Sequence, residues 1–188
     1  MSQAADRPLR ADARRNRDRL VAVARDAFAR ADNAIPLEHI AREAGVGIGT
    51  LYRHFPTREA LIEAVYASEL DAVTASPAEL LGKLAPDAAL RAWMDRYAQF
   101  VAVKHGFLDT LRAGWSSGRI TKPTKERITA AIGTILEAGA RAGSLRSDVR
   151  PEDVTAMIFG ALLSTADNDT PDQTKRLLDL IVDALECR

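Results

Sequence analysis

Apolar residues recur along most of the chain with the spacing of an amphipathic helix. The first stripe runs from Leu20 to Ala31, and its members lie three or four residues apart, on one face of a helix. Later stripes begin at Leu61, Leu90, Ile128, Val154 and Leu177. No run of four or more residues alternates between apolar and polar positions as a strand would. The pattern therefore predicts an all-α protein.

Capping residues and breakers mark the ends of these helices. Thr57 can cap the helix that follows it, and Thr170-Pro171 and Arg150-Pro151 open the last two helices. Pro77, Gly82 and Pro86 predict a break over Ser76 to Asp87. Residues 1–12 precede the first stripe, and we expect them to form a flexible arginine-containing arm.

The segment from Pro36 to Phe55 contains two short helical stretches joined at Gly45. Pro36 can open the first stretch, and glycine at position 45 permits a left-handed turn. Two short helices this close must cross steeply, which requires a small residue at the crossing, and Ala41 is suitable. This spacing is typical of a helix-turn-helix. We expect five residues to hold it together: Ile40, Ala41, Gly45, Leu51 and Phe55.

The outer side of the second short helix carries groups suited to DNA. It presents one apolar residue, a hydroxyl, an aromatic side chain and basic or protonatable groups that suit base edges and phosphates. The glycines at positions 47 and 49 allow the backbone to approach a partner closely. The predicted contacts are Gly47, Ile48, Thr50, Tyr52, Arg53 and His54.

The motif resembles the DNA-binding domain of the TetR family of transcriptional regulators over residues 14 to about 65. The resemblance rests on Ile-Ala-Arg-Glu-Ala-Gly-Val at 40–46, Gly-Thr-Leu-Tyr-Arg-His-Phe at 49–55 and Thr-Arg-Glu-Ala-Leu at 57–61. It implies that Thr50, Tyr52, His54 and Arg58 contact DNA. Pro36 and Gly47 stand where many members have hydroxyl residues, so contacts through those hydroxyls are not expected here.

The resemblance also implies three regions: the arm at 1–12, a DNA-binding domain at 13–60, and a helical effector-binding and dimerisation domain at 61–188. The stripes near 152–166 and 171–186 would pair with their copies in a second subunit. Aromatic residues in the middle helices can pack a core or line a pocket for a small molecule. The pocket candidates are Trp93, Tyr97, Phe100, Phe107 and Trp115.

Charge and composition narrow the function further. The chain carries 26 basic and 26 acidic residues, yet residues 1–60 hold 11 Arg against 8 acids. This basic amino end suggests contact with a polyanion on one side of the protein. The longest strongly apolar stretch has 13 residues, where a membrane span needs roughly 20. With no signal-peptide pattern, we expect a cytoplasmic protein without membrane contact.

Other chemistry is weakly indicated. The glycines at 45, 47 and 49 do not follow a strand, as a nucleotide-binding loop requires. His39 and Glu43 share a helix face but have no third metal ligand, and His105 and Cys187 have plain structural interpretations. We therefore expect no cofactor, no metal and no enzymatic activity. A helical enzyme or carrier, and an adaptor that no longer binds DNA, are the alternatives.

The predicted function is a homodimeric, ligand-responsive regulator, acting as a repressor. It would bind double-stranded DNA at a near-palindromic operator, and a small-molecule effector of unknown identity would release it. The arginines of the arm could follow phosphates or simply be solvated, and the sequence leaves both possibilities open.

Overall fold

The computed structural model describes residues 6–30, 35–105, 122–165 and 171–187. Within these residues the chain forms helices and, apart from one isolated bridge, no β-structure, which confirms the predicted all-α class. The helices are α1 (Asp6–Arg30), α2 (Leu37–Glu43), α3 (Ile48–His54), α4 (Arg58–Leu81), α5 (Pro86–His105), α6 (Lys122–Ala142), α7 (Pro151–Ser164) and α8 (Pro171–Leu185).

The chain divides into two compact units, residues 1–69 and residues 70–188. The division falls inside α4, nine residues beyond the domain boundary that we predicted at residue 60. In the first unit, α1, α2 and α3 pack against one another. Their shared core contains Leu20, Ala24, Ile40 and Leu51, each fully or almost fully buried. These apolar contacts hold the two short helices in place on the longer α1.

The first helix begins earlier than expected. We predicted a flexible arm over residues 1–12, whereas α1 starts at Asp6, so residues 6–12 belong to the helix. Pro8 lies in the first turn, where a missing N–H removes no intrahelical hydrogen bond. The first turns also contain good helix formers, namely Leu9, Ala11 and Ala13, which favour a continuous helix from Asp6 onward.

The second unit is a bundle in which α5, α6, α7 and α8 contact one another. Trp93 and Met94 of α5, Ile132 of α6, Ile158 of α7 and Leu178 of α8 have no exposed surface. The apolar stripes predicted from the sequence are therefore the faces that meet in this core.

Pro77 lies inside α4, where we had predicted a break from Ser76 to Asp87. The helix continues to Leu81, and α5 begins at Pro86, so the predicted break is present but covers only residues 82–85. Proline has no N–H to donate to the carbonyl oxygen of Val73, four residues earlier. That oxygen instead accepts hydrogen bonds from Ser76 Oγ at 2.8 Å and Trp93 Nε1 at 3.0 Å. Because these donors replace the missing bond, the helix passes through the proline.

The turn after α6 is tied to the end of the chain. Gly143 has φ +71° and ends α6 in a left-handed turn. An isolated antiparallel bridge then joins Leu145 to Glu186. Arg146 N donates to Leu185 O at 2.8 Å, and Cys187 N donates to Ser144 O at 3.1 Å. These two bonds close the segment that contains α7 and α8.

As regards membranes, no helix among the described residues combines the length and the apolar character that a span requires.

Candidate nucleic-acid interface

The corner between α2 and α3 is formed by Gly45, whose φ is +66°. Val46 N donates to Ala41 O at 2.9 Å, and Gly45 N donates to Arg42 O at 3.1 Å. This is the pair of bonds of a Schellman cap, in which glycine best tolerates the left-handed position. The expected sharp turn at Gly45 is therefore present. Ile40, Ala41, Leu51 and Phe55, which we expected to hold the motif together, are all buried.

Neither short helix begins with a side-chain cap. Pro36 and Gly47 occupy the N-cap positions of α2 and α3, and neither makes a side-chain hydrogen bond there. By contrast, Thr57 Oγ1 accepts a bond from Ala60 N at 3.1 Å, as predicted for the start of α4. The hydroxyls that many TetR-family members carry at the two N-caps are thus absent from this motif.

The outward side of α3 collects most of the predicted DNA contacts. Ile48 is 38% exposed and Tyr52 is 45% exposed, both high for large apolar or aromatic side chains. Arg53 is exposed and has no partner among the described residues, whereas Thr50 and His54 are half-buried. This side therefore offers methyl groups, an aromatic hydroxyl and a guanidinium to an external partner.

Arg58 is placed differently from the contacts on α3. It is half-buried, and its Nη1 donates to Ile35 O at 2.5 Å. Its guanidinium also lies over the ring of Phe28, 5.3 Å from the ring centre. Arg58 thus holds the segment before α2 against α1, a structural role that the sequence did not indicate.

Two arginines of α1 contact the motif, which the sequence analysis did not predict. The guanidinium of Arg17 lies 5.4 Å from the ring centre of Phe55, the C-cap residue of α3. Arg19 Nη1 donates to Ala44 O at 3.5 Å, beside the Gly45 corner. Both contacts join residues more than twenty positions apart, and no local spacing in the sequence could have revealed them.

His39 and Glu43 form the surface pair that we favoured over a metal site. His39 Nε2 lies 3.7 Å from Glu43 Oε2, and Arg42 Nη2 lies 2.9 Å from His39 Nδ1. Because Arg42 can only donate, Nδ1 of His39 is the acceptor in this contact. Among the described residues, no three His, Cys, Asp or Glu side chains are grouped to hold a metal.

Three predicted pocket residues are described, and they form one aromatic row along α5. Trp93 and Tyr97 stack with ring centres 5.5 Å apart, and Tyr97 and Phe100 do so at 6.0 Å. All three are buried, and Trp93 has no exposed surface. Phe107 and Trp115 lie outside the described residues. The row is thus part of the core, and its contact with a ligand stays a prediction.

A cleft of about 640 Å³ lies elsewhere in the same unit, and none of these aromatic residues lines it. Its walls are residues of α6 and the start of α7, among them Lys125, Thr129, Glu137 and Glu152. The lining mixes both signs of charge on an open surface, unlike the mostly apolar pockets that enclose small molecules.

Both parts of the chain match known families. The profile of bacterial regulatory proteins of the tetR family matches residues 20–65, which include the motif. A second profile, of the C-terminal domain of SbtR-like transcriptional regulators, matches residues 85–187.

Solved structures agree over most of the chain. A TetR transcriptional regulator from Streptomyces coelicolor is 43% identical, with a TM-score of 0.76, over 90% of this chain and 98% of that one. A TetR regulatory protein from Mycobacterium vanbaalenii is 35% identical, with a TM-score of 0.73, over 96% and 100%. A curated HTH-type transcriptional regulator of Staphylococcus aureus is 39% identical over 64 residues. The chain spans only 35% of the length of that curated relative.

The corner at Gly45, the buried motif residues and the exposed side of α3 define a helix-turn-helix transcriptional regulator. The two profile matches and the two solved structures extend this class to both units. The chain belongs to the TetR family.

Proposed function

We propose that this protein is a transcriptional repressor that binds operator DNA through α3 and is released by a small molecule. The observation that carries the proposal is the exposure of Ile48, Tyr52 and Arg53 on one short helix whose opposite side is locked into a buried core. A rigid helix with a partly basic outer side is the geometry that enters a major groove. Thr50 and His54 border this side and would contact the DNA backbone.

The direct test measures the binding of the protein to DNA from upstream of its own gene and to fragments selected from a DNA library. Fluorescence anisotropy at several salt concentrations gives the affinities. Tyr52→Ala should fold normally and bind the operator much more weakly. Arg53→Gln should weaken binding and reduce the salt slope by about 0.9 for each phosphate that the arginine neutralises. Arg141→Gln, which removes an exposed arginine from the last turn of α6, is the matched control. Binding that is insensitive to sequence and salt would contradict the proposal.

The outer surface of α7 and α8 supports a homodimer. Phe159 is 48% exposed, Leu163 is 64% exposed, and Met157 and Leu180 are also exposed. Such apolar side chains on adjacent helices are costly in water unless a partner covers them. We infer that a second copy covers them around a two-fold axis, which places two α3 helices on one near-palindromic operator.

Light scattering and DNA binding test the dimer together. Phe159→Glu or Leu163→Glu should shift the protein toward a monomer and weaken operator binding, because a monomer reads only one half-site. Leu84→Glu is the control, since Leu84 is an exposed leucine in the turn between α4 and α5. A dimer that survives both α7 substitutions would move the interface elsewhere.

The effector would bind the unit formed by residues 70–188. The family profile over residues 85–187 supports this assignment. A ligand acts as an inducer only if it binds the DNA-free state more tightly than the DNA-bound state. Small molecules related to the products of the regulated genes should therefore lower operator affinity, and an unchanged affinity with all of them would argue against ligand control.

Family membership supports a regulator without catalysis over the alternative of a helical enzyme or carrier. The exposed α3 residues likewise favour DNA binding over an adaptor that no longer binds DNA. A regulator of this kind works where the DNA is, and we infer a cytoplasmic location for that reason.

A further inference from the structure

The chain segment that begins α3 is unusual because glycines flank its one large side chain. Gly47 and Gly49 both have ordinary backbone angles, since the positive-φ glycines among the described residues are Gly45 and Gly143. A Cβ atom added at either position would meet no atom of the described residues within 4 Å. Neither conformation nor packing inside the protein therefore requires glycine there.

Glycine at position 49 even works against the fold. It lies within α3, where glycine is less favourable than alanine because its unfolded chain has more conformational freedom to give up on folding. Gly47 is the N-cap residue, a position where glycine is tolerated, so the reasoning is strongest for Gly49. The missing side chain at 49 is best explained by something outside the protein that comes close to the backbone.

Ile48 stands between these two glycines and is exposed. Neither residue next to it along the chain has a Cβ atom, so neither neighbour covers its methyl groups. The run from Gly47 to Leu51 contains no amide, carboxylate or guanidinium side chain, the groups that recognise base edges through paired hydrogen bonds. The apolar group that the major groove presents is the 5-methyl of thymine.

We propose that Gly47, Ile48 and Gly49 form an apolar reading surface, in which Ile48 contacts the methyl group of one thymine in each half-site. Gly49 lies where the DNA approaches too closely for a side chain. This inference rests on the proposed function of α3 and adds the chemistry of one base position. It makes Ile48 a specificity-determining residue that contributes through methyl contact alone.

The test uses the intact protein and a selected operator fragment in which each thymine is replaced, one position at a time, by deoxyuridine. This change removes the methyl and leaves every hydrogen-bonding group in place. Wild-type protein should bind about fourfold more weakly when the contacted thymine of one half-site is changed, as expected for one buried methyl, and about 15-fold more weakly when both half-sites are changed. In Ile48→Ala, deoxyuridine at that same position should change affinity by less than about twofold. A methyl effect that persists unchanged in Ile48→Ala would overturn the assignment.

Gly49→Ala gives a second test, in which stability and affinity change in opposite directions. The variant should melt at a higher temperature than wild type, because alanine is the better helix former. It should bind the operator roughly tenfold more weakly, a loss similar to that of one mismatched base pair. Gly133→Ala, within α6, is the control that alters a helical glycine away from the motif and should leave operator affinity unchanged. A Gly49→Ala protein that binds as tightly as wild type overturns the close approach.

Loss of DNA binding by α3 and loss of methyl contact by Ile48 would give different results in these experiments. If no DNA is bound with sequence preference, the proposed function fails and this inference falls with it. If the operator is bound but no thymine is sensitive to removal of its methyl, only the reading surface is wrong.

Discussion

The indole Nε1 of Trp93 donates a hydrogen bond to the backbone oxygen of Val73 at 3.0 Å. Val73 is the residue whose carbonyl has no helical partner, because Pro77 has no N–H. Ser76 Oγ donates to the same oxygen. Trp93, which the sequence suggested as a pocket residue, therefore uses its one polar side-chain atom to satisfy a backbone carbonyl of α4.

This shared acceptor predicts a non-additive double mutant. Ser76→Ala should lower the free energy of unfolding by about 0.5–1.5 kcal/mol, because Trp93 still satisfies the carbonyl. Trp93→Phe should cost about 1–3 kcal/mol, since it removes both the bond and some packing. The double variant should be destabilised by more than the sum, because the buried oxygen then has no donor. Urea unfolding of all four proteins measures the coupling, and simple additivity would mean that another donor reaches Val73 O.

The left-handed glycines offer a matched pair of substitutions. Gly45→Ala and Gly143→Ala each force a side chain into positive φ, at a cost of about 1–2 kcal/mol. Thermal unfolding should show similar destabilisation of both variants. Operator binding measured well below the melting temperature should fall only for Gly45→Ala, because its corner sets the angle between α2 and α3. An equal drop in affinity for the two variants would indicate a general folding effect instead.

Arg58 and Arg53 should separate stability from DNA binding. Arg58→Gln should lower the free energy of unfolding by about 1–2 kcal/mol, because it removes a charged donor from Ile35 O and the contact with Phe28. Arg53→Gln should leave stability within about 0.5 kcal/mol, as expected for an exposed residue. Chemical unfolding compares the two directly. An unfolding curve of Arg58→Gln that matches wild type would show that its internal contacts contribute nothing.

The carboxylate of Glu79 should make stability depend on acid pH. Hydrogen bonds from Lys83 Nζ at 2.9 Å and Arg96 Nη1 at 3.3 Å, with their positive charges, lower the pKa of Glu79 from 4.5 to about 2. A lowered pKa stabilises the folded protein fully above pH 4.5, and this contribution disappears as the pH falls toward 2. The stability of wild type should therefore fall more steeply than that of Glu79→Gln across that interval.

Denaturant unfolding at several pH values gives this comparison. Since Glu79, Lys83 and Arg96 are exposed, about 0.5 M salt should reduce the difference in stability between the two proteins. Parallel curves for wild type and Glu79→Gln at low salt would contradict the assignment of the acid-sensitive contribution to this carboxylate.

Much of the fold was predicted correctly from local signals in the sequence. The apolar stripes predicted the helices, and the glycine between two short stretches predicted the corner at Gly45, because a positive φ has a direct residue preference. Thr57 was likewise recognisable as an N-cap from its own neighbours. These features depend on residues that are close to one another along the chain.

The features that the sequence did not indicate depend on residues that are distant from one another along the chain. Because of Pro77 we placed the start of the break too early: α4 continues through the proline, since Ser76 and Trp93, which lies on the next helix, donate to Val73 O. The DNA contact of Arg58 stays a prediction, but the sequence did not indicate that its guanidinium lies on Phe28 and donates to Ile35, both far earlier in the sequence. Side-chain donors that rescue a backbone group leave no periodic pattern, so the sequence alone could not reveal them.

The short bridge between Leu145 and Glu186 has a consequence for experiments on the end of the chain. The amide protons of Arg146 and Cys187 are held by the two bonds of that bridge, and opening one loosens the other. The two amide protons should therefore exchange with heavy water at similar, slow rates. Cutting the chain after Leu185 should speed exchange at the Arg146 amide, although two whole helices lie between the two sites along the chain.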